Sequence, residues 1–125
     1  MSLGEKSLLY TSLAAAMLLA FVPSARSAEI DAAKLVENSD CIACHAATGM
    51  EQRIGPPFEA IALRYKGADA ATIDKMATKV EKGGAGAWGV VPMASHPQLS
   101  HAETTAIVKW ILSQKPATPG AGSTK

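Results

Sequence analysis

The stretch Cys41-Ile42-Ala43-Cys44-His45 constrains this chain more than any other. Two thiols three positions apart can reach the two vinyl groups of one porphyrin. A histidine directly after the second cysteine brings an imidazole to the iron from the same side, and the pattern reads as a c-type haem attachment site. The order matters, because the histidine must follow the second cysteine to arrive beneath the metal. These are the only two cysteines in the chain, so both are committed to this chemistry.

Three other uses of the same residues compete. A thioredoxin-like redox pair has the same Cys-x-x-Cys but belongs in a βαβ context, whereas the flanks here are alanine-rich and helical. A zinc site could join Cys41 and Cys44 to His96 and His101. Those two pairs stand much further apart than the roughly 12–15 residues of a zinc finger. A disulfide across so short a step would be strained and would staple almost nothing.

The chain has 125 residues, enough for one compact domain and not comfortably for two. Only 5% of it is aromatic, so its own core would be thin and a buried porphyrin would supply the missing apolar area. Leu8 to Val22 is an apolar run preceded by Lys6 and followed by Pro23-Ser24-Ala25-Arg26-Ser27-Ala28. The run falls short of the ~20 residues that span a bilayer, and Ala25 and Ser27 are small enough for a cleavage site. Residues 1–27 are therefore expected to be a secretory signal peptide, 28–115 the folded domain and 116–125 a disordered polar tail. An exported address also suits the thiols, because an oxidising compartment turns uncommitted pairs into disulfides. Removing Lys6, Arg26 and Glu5 with the leader, from 12 basic and 11 acidic residues, leaves ten of each. That near-neutral balance, with no basic run, argues against nucleic acid or a charged membrane surface as partner.

Along the rest of the chain, Ala32, Leu35 and Val36 share one helical face in a short helix over 30–39. A loop over 46–54 containing Gly49 ends at Gly55-Pro56-Pro57, which stops one element and starts another. Phe58, Ile61, Ala62 and Tyr65 fall at i, i+3, i+4 and i+7, with Gly67 closing the helix. Ile73, Met76, Ala77 and Val80 repeat the spacing in a helix over 70–82, with Asp69 as N-cap. Gly83, Gly84, Gly86 and Gly89 crowd a loop around Trp88. Ser100 and Glu103 form a capping box for a last helix to about Gln114, whose inward face is Ile107, Trp110 and Ile111. His101 reads as an exposed first-turn residue and the lysines as solvated faces. No strand is needed, so the fold class is all-α.

His45 fills one axial position on the iron, and a carrier needs the opposite one filled. Met50 is too close to His45 in sequence to cross to the other face, and Met76 sits in an apolar helical stripe that reads as core. Met93 lies in a loop after a rigid proline, far enough along the chain to wrap round a porphyrin. A thioether there raises the reduction potential relative to two histidines. His96 is the alternative ligand.

With these residues the chain resembles a small bacterial class I cytochrome c, the short monohaem type that donates electrons to nitrite reductases and terminal oxidases. The resemblance covers most of Ala32 to Lys115. It rests on Cys41-Ile42-Ala43-Cys44-His45, Ile54-Gly55-Pro56, Trp88-Gly89-Val90-Val91-Pro92-Met93 and Lys109-Trp110-Ile111-Leu112-Ser113-Gln114-Lys115. It implies about four short helices wrapped around one haem c bound through Cys41 and Cys44, with His45 and Met93 on the iron. It further implies that the Pro56 carbonyl accepts the His45 Nδ1 proton, that Trp88 donates its indole N–H to a haem propionate, and that Lys79 meets a propionate where relatives often place an arginine. His96 stands near a position where relatives can place an asparagine on the methionine sulfur, a possible source of pH dependence. The function implied is a soluble, monomeric, periplasmic electron carrier, not an enzyme. Its transient protein redox partners would be a reductase or oxidase such as a bc1-type complex, nitrite reductase or terminal oxidase. The haem edge would stay accessible for docking beside Ala43 and Ala46. A peroxidase-like or gas-binding haem protein is the rival, and Pro92-Met93 argues against its open sixth site.

Overall fold

The computed structural model describes residues 28–116, so the expected leader and all but the first residue of the expected tail lie outside the described residues. The described residues form five helices: α1 (Ala32–Asn38), α2 (Cys41–Cys44), α3 (Phe58–Arg64), α4 (Ala70–Lys82) and α5 (His101–Leu112). Among them the only β feature is an isolated antiparallel bridge between Gly84 and Met93. The expected entry helix and the cysteine motif are separate elements. Asp40 adopts φ 57°, ψ 16°, a left-handed conformation that ends one helix and turns the chain into the next.

Caps set the helix starts. Asp31 accepts from Lys34 N at 3.1 Å and Asp69 from Thr72 N at 2.8 Å, each satisfying a donor left without an intrahelical partner. At α5 the Ser100 and Glu103 side chains and backbones bond reciprocally as a capping box. This last helix ends at Leu112, two residues before the expected Gln114.

Helix α5 is the hub: α1, α3 and α4 all pack on it, and α1 also packs on α2. One cluster joins Val36, Cys41, Phe58, Ile61, Ile107 and Ile111; a second joins Ala77, Val80 and Val108. Met76 packs partly against both, as its place in the α4 stripe implies. The inward face of α5 is wider than expected, because Thr104 and Val108 are buried with Ile107 and Ile111 while Trp110 is only half-buried. Thr104 can be buried because its hydroxyl donates to Glu81 Oε1 at 2.9 Å.

Candidate haem-attachment site

Cys41 and Cys44 lie one helical turn apart in α2, a spacing that places two side chains on one face. Cys41 is buried and Cys44 half-buried, and both are free thiols. Burial, the largest influence, pushes the Cys41 thiol above its ordinary range. Its Sγ faces the Ser39 carbonyl at 3.8 Å.

His45 leaves the helix in extended conformation (φ −112°, ψ 136°) while its N–H still bonds to the Cys41 carbonyl at 3.0 Å. The 55–58 segment straps this turn down. Gly55 N donates to Cys44 O at 2.8 Å and Phe58 N to Ala46 O at 3.0 Å. Between the two straps the imidazole is held on three sides. Its Nδ1 lies 2.7 Å from the Pro56 carbonyl. Its ring stacks on Phe58, with centroids 5.4 Å apart and planes at 21°. Its edge sits on Gly55, where an added Cβ would lie 2.6 Å from Cε1. Phe58 is itself held edge-on by Trp110, with centroids 5.9 Å apart.

A carbonyl can only accept, so Nδ1 carries the proton and the Nε2 lone pair is what His45 offers outward. No described residue bonds to Nε2. One sp² nitrogen beside two thiols on one turn fits a porphyrin joined through its two vinyl groups, with the nitrogen facing the iron.

Met93 begins the chain's exit from the glycine-rich loop. Its backbone N donates to Gly84 O at 3.0 Å and its carbonyl accepts from Gly84 N at 2.9 Å. Its side chain rests partly on the Ala77, Val80 and Val108 cluster. Gly83 makes the close approach possible, for its φ 69°, ψ −153° is a region only glycine enters freely. A Cβ there would stand 2.5 Å from the Met93 carbonyl oxygen. Met50 is 54% exposed.

The remaining candidates have these surroundings. Lys79 Nζ donates to Ala85 O at 3.2 Å. The Trp88 ring is 44% exposed and covered by the Arg64 guanidinium at 4.5 Å, and no described residue accepts from its indole N–H. His96 Nδ1 lies 3.3 Å from Val80 O and Nε2 3.1 Å from Ser39 O, so neither nitrogen is turned to Met93. His101 is exposed, as expected, yet it is a cross-brace between helices. Its Nδ1 meets Glu81 Oε1 at 2.6 Å and its Nε2 meets Asp74 Oδ1 at 3.0 Å. Both carboxylates raise its pKa and Glu81's is lowered in turn. Among the described residues no group of three or more histidines, cysteines or acids could hold a metal ion, so the zinc alternative has no assembled site. Of the two alanines expected beside the haem edge, Ala43 is exposed but Ala46 is buried at 3%, because the 55–58 strap covers it.

Three further residues shape the site. Gly55 lies inside the Ile54-Gly55-Pro56 motif and Phe58 in the α3 apolar stripe, but neither pattern says that they enclose the His45 ring. Arg64 has no sequence signal, because its loop contact is 23 residues away.

A thiol pair on one turn beside an imidazole whose outward nitrogen has no partner among the described residues, within an all-α bundle, is the arrangement that covalent haem attachment needs. The chain belongs to the cytochrome c family, whose model matches residues 30–115. It is similar to cytochrome c-551 of Allochromatium vinosum, 38% identical over 62% of this chain and 80% of that one. It is also similar to cytochrome c-552 of Hydrogenobacter thermophilus, 39% identical over 66% and 80%. The crystal structure of wild-type Nitrosomonas europaea cytochrome c552 shares the fold with TM-score 0.57 and 34% identity, covering 65% of this chain and 96% of that one. The protein is thus a small class I cytochrome c, an electron carrier and not an enzyme. It binds one haem c through Cys41 and Cys44 and shuttles transiently between protein partners.

Proposed function

We propose that this chain is a soluble periplasmic carrier that moves one electron at a time on a haem ligated by His45 and Met93. Residues 1–27 would be removed on export, leaving 28–115 as the working domain and 116–125 as a polar tail. The observation that carries the reading is the 2.7 Å contact of His45 Nδ1 with the Pro56 carbonyl, which leaves Nε2 for iron. The bound haem supplies the one-electron ferrous–ferric couple. The protein's part is to hold both axial groups still. The Pro56 carbonyl, Phe58 and Gly55 fix the imidazole. Pro92 and the bridge to Gly84 restrain the backbone that bears the Met93 thioether. Trp88 and Lys79 serve the propionates in this reading, and the free indole N–H supports the first assignment.

With both axial positions filled there is no open site for substrate, and little needs to move when charge changes. Among the described residues no helix is long and apolar enough to cross a membrane. The partners would be a bc1-type complex as donor and a nitrite reductase or terminal oxidase as acceptor. They would meet a monomeric carrier through small, weak contacts beside the attachment turn. Ala43 and Ile42 lie exposed there. Absorption spectra of the exported protein in both redox states test the ligand set. A weak red methionine-to-iron band in the ferric form is expected; its absence, with bis-histidine magnetic resonance, would exclude Met93.

A further inference from the structure

The loop from Gly83 to Met93 is poorly tied. Gly84, Gly86 and Gly89 all have positive φ, and residues 84–92 are exposed. Glycines at such positions leave the unfastened backbone with much conformational freedom. Two ties are internal: the Gly84–Met93 bridge and a bond from Gly86 N to Gly89 O at 2.8 Å. A third comes from Lys79 to Ala85 O, but Lys79 belongs to α4, from which the loop itself emerges. The remaining tie reaches across the fold. At the end of α3, Arg64 Nη1 donates to Ala87 O at 2.7 Å while the same guanidinium lies 4.5 Å from the centre of the Trp88 ring. Among the described residues no other side chain from outside α4 makes a hydrogen bond or ring contact to residues 84–92.

We propose that Arg64 is a positioning residue for the sixth ligand: by binding the Ala87 carbonyl and covering Trp88, it slows the opening of the loop that carries Met93. The role suits arginine in particular. A planar guanidinium can stack on an aromatic face and donate in its own plane at once, whereas an ammonium is a point charge that cannot do both with this geometry. The Ala87 contact holds the backbone and the Trp88 contact holds a large side chain, so the loop is gripped at two successive residues from a rigid helix end. This inference rests on Met93 being the ligand, and the experiment separates the two claims.

Exogenous imidazole binds the ferric holoprotein only after the sulfur leaves, so its limiting rate at saturation reads loop opening. In R64A that rate is expected to rise roughly five-fold, the order set by one exposed cation–π contact and one charge-assisted bond. In R64K it should rise by an intermediate factor. K66A removes a neighbouring cation that makes no side-chain bond to the loop and should leave the rate unchanged. Amide hydrogen exchange at Gly84 and Gly86 should accelerate in R64A and not in K66A. A wild-type protein without the red band removes the Met93 assignment, and the amide exchange still reports on the clamp. A band-positive R64A with wild-type imidazole rate and wild-type exchange overturns the proposal, as does K66A reproducing the R64A rate.

Discussion

At the scale of single residues, two glycines decide whether the His45 ring and the Met93 backbone can be where they are. Gly55 has no atom to collide with the imidazole, and any Cβ there must displace the His45 ring or the strap. Gly55→Ala is expected to cost about 1–3 kcal/mol, the range for overpacking a filled site, and to weaken the His45–Pro56 contact. Denaturant unfolding of the holoprotein measures the first and the histidine ring NMR shifts the second. Gly67 is the control, since its φ is also positive (77°) but nothing stands within 4 Å of an added Cβ. Gly67→Ala should cost only the left-handed penalty of about 1–2 kcal/mol and leave His45 alone. Gly83→Ala combines both problems. Its backbone conformation is worth about 1–3 kcal/mol of strain for a non-glycine residue, and the clash is with the backbone of Met93 itself. The red band expected from the proposed methionine ligation should weaken in that variant before the fold is lost; an intact band at wild-type stability contradicts the account.

At the scale of elements, α4 and α5 are joined by apolar packing at one level and by charge at another. His101 sits between Glu81 and Asp74, and both ring nitrogens can donate only when the imidazole is protonated. Raised above its ordinary 6.5, His101 contributes fully below that pH and loses the contribution as pH climbs through the raised value. Glu81, depressed from its ordinary 4.5, contributes above that pH and loses it as pH falls through the depressed value. The brace is therefore complete between about pH 4.5 and 6.5. His101→Ala should narrow its stability gap to wild type on moving from pH 6 to pH 9, with Asp74→Asn behaving alike. A gap that does not depend on pH counts against the brace. The pairs are exposed, so the effect is small and salt-sensitive. Ser100→Ala removes the capping box of the hub helix and should cost about 0.5–2 kcal/mol by thermal or chemical unfolding.

At the scale of the whole molecule, the buried apolar side chains fall into two small clusters around α5, while Trp88, Val90, Val91, Leu63 and Ile54 remain exposed. A domain of this size can fold alone, but one with so modest a core gains from added apolar area and from a cross-link. The covalent haem supplies both, joining α2 to whatever the porphyrin touches. Cys41→Ala/Cys44→Ala protein, unable to attach haem, is expected to lose its cooperative thermal transition and most near-ultraviolet dichroism. A sharp transition within a few degrees of the holoprotein's contradicts this.

The legible parts of this protein are those written in contiguous residues. Haem attachment follows from Cys41-Ile42-Ala43-Cys44-His45, because two thiols and an imidazole at that spacing have few other uses. The α4 limits and both its cap and that of α5 follow from short-range hydrogen bonding, which needs no knowledge of the rest of the chain. Tertiary structure alone decided which distant groups meet. His96 bonds to Ser39, 57 residues away, and Arg64 reaches Ala87 and Trp88. Ala46, exposed by expectation, is covered by the 55–58 strap. The physical reason is that such contacts depend on how the helices cross α5, a property of the packed core rather than of any local pattern.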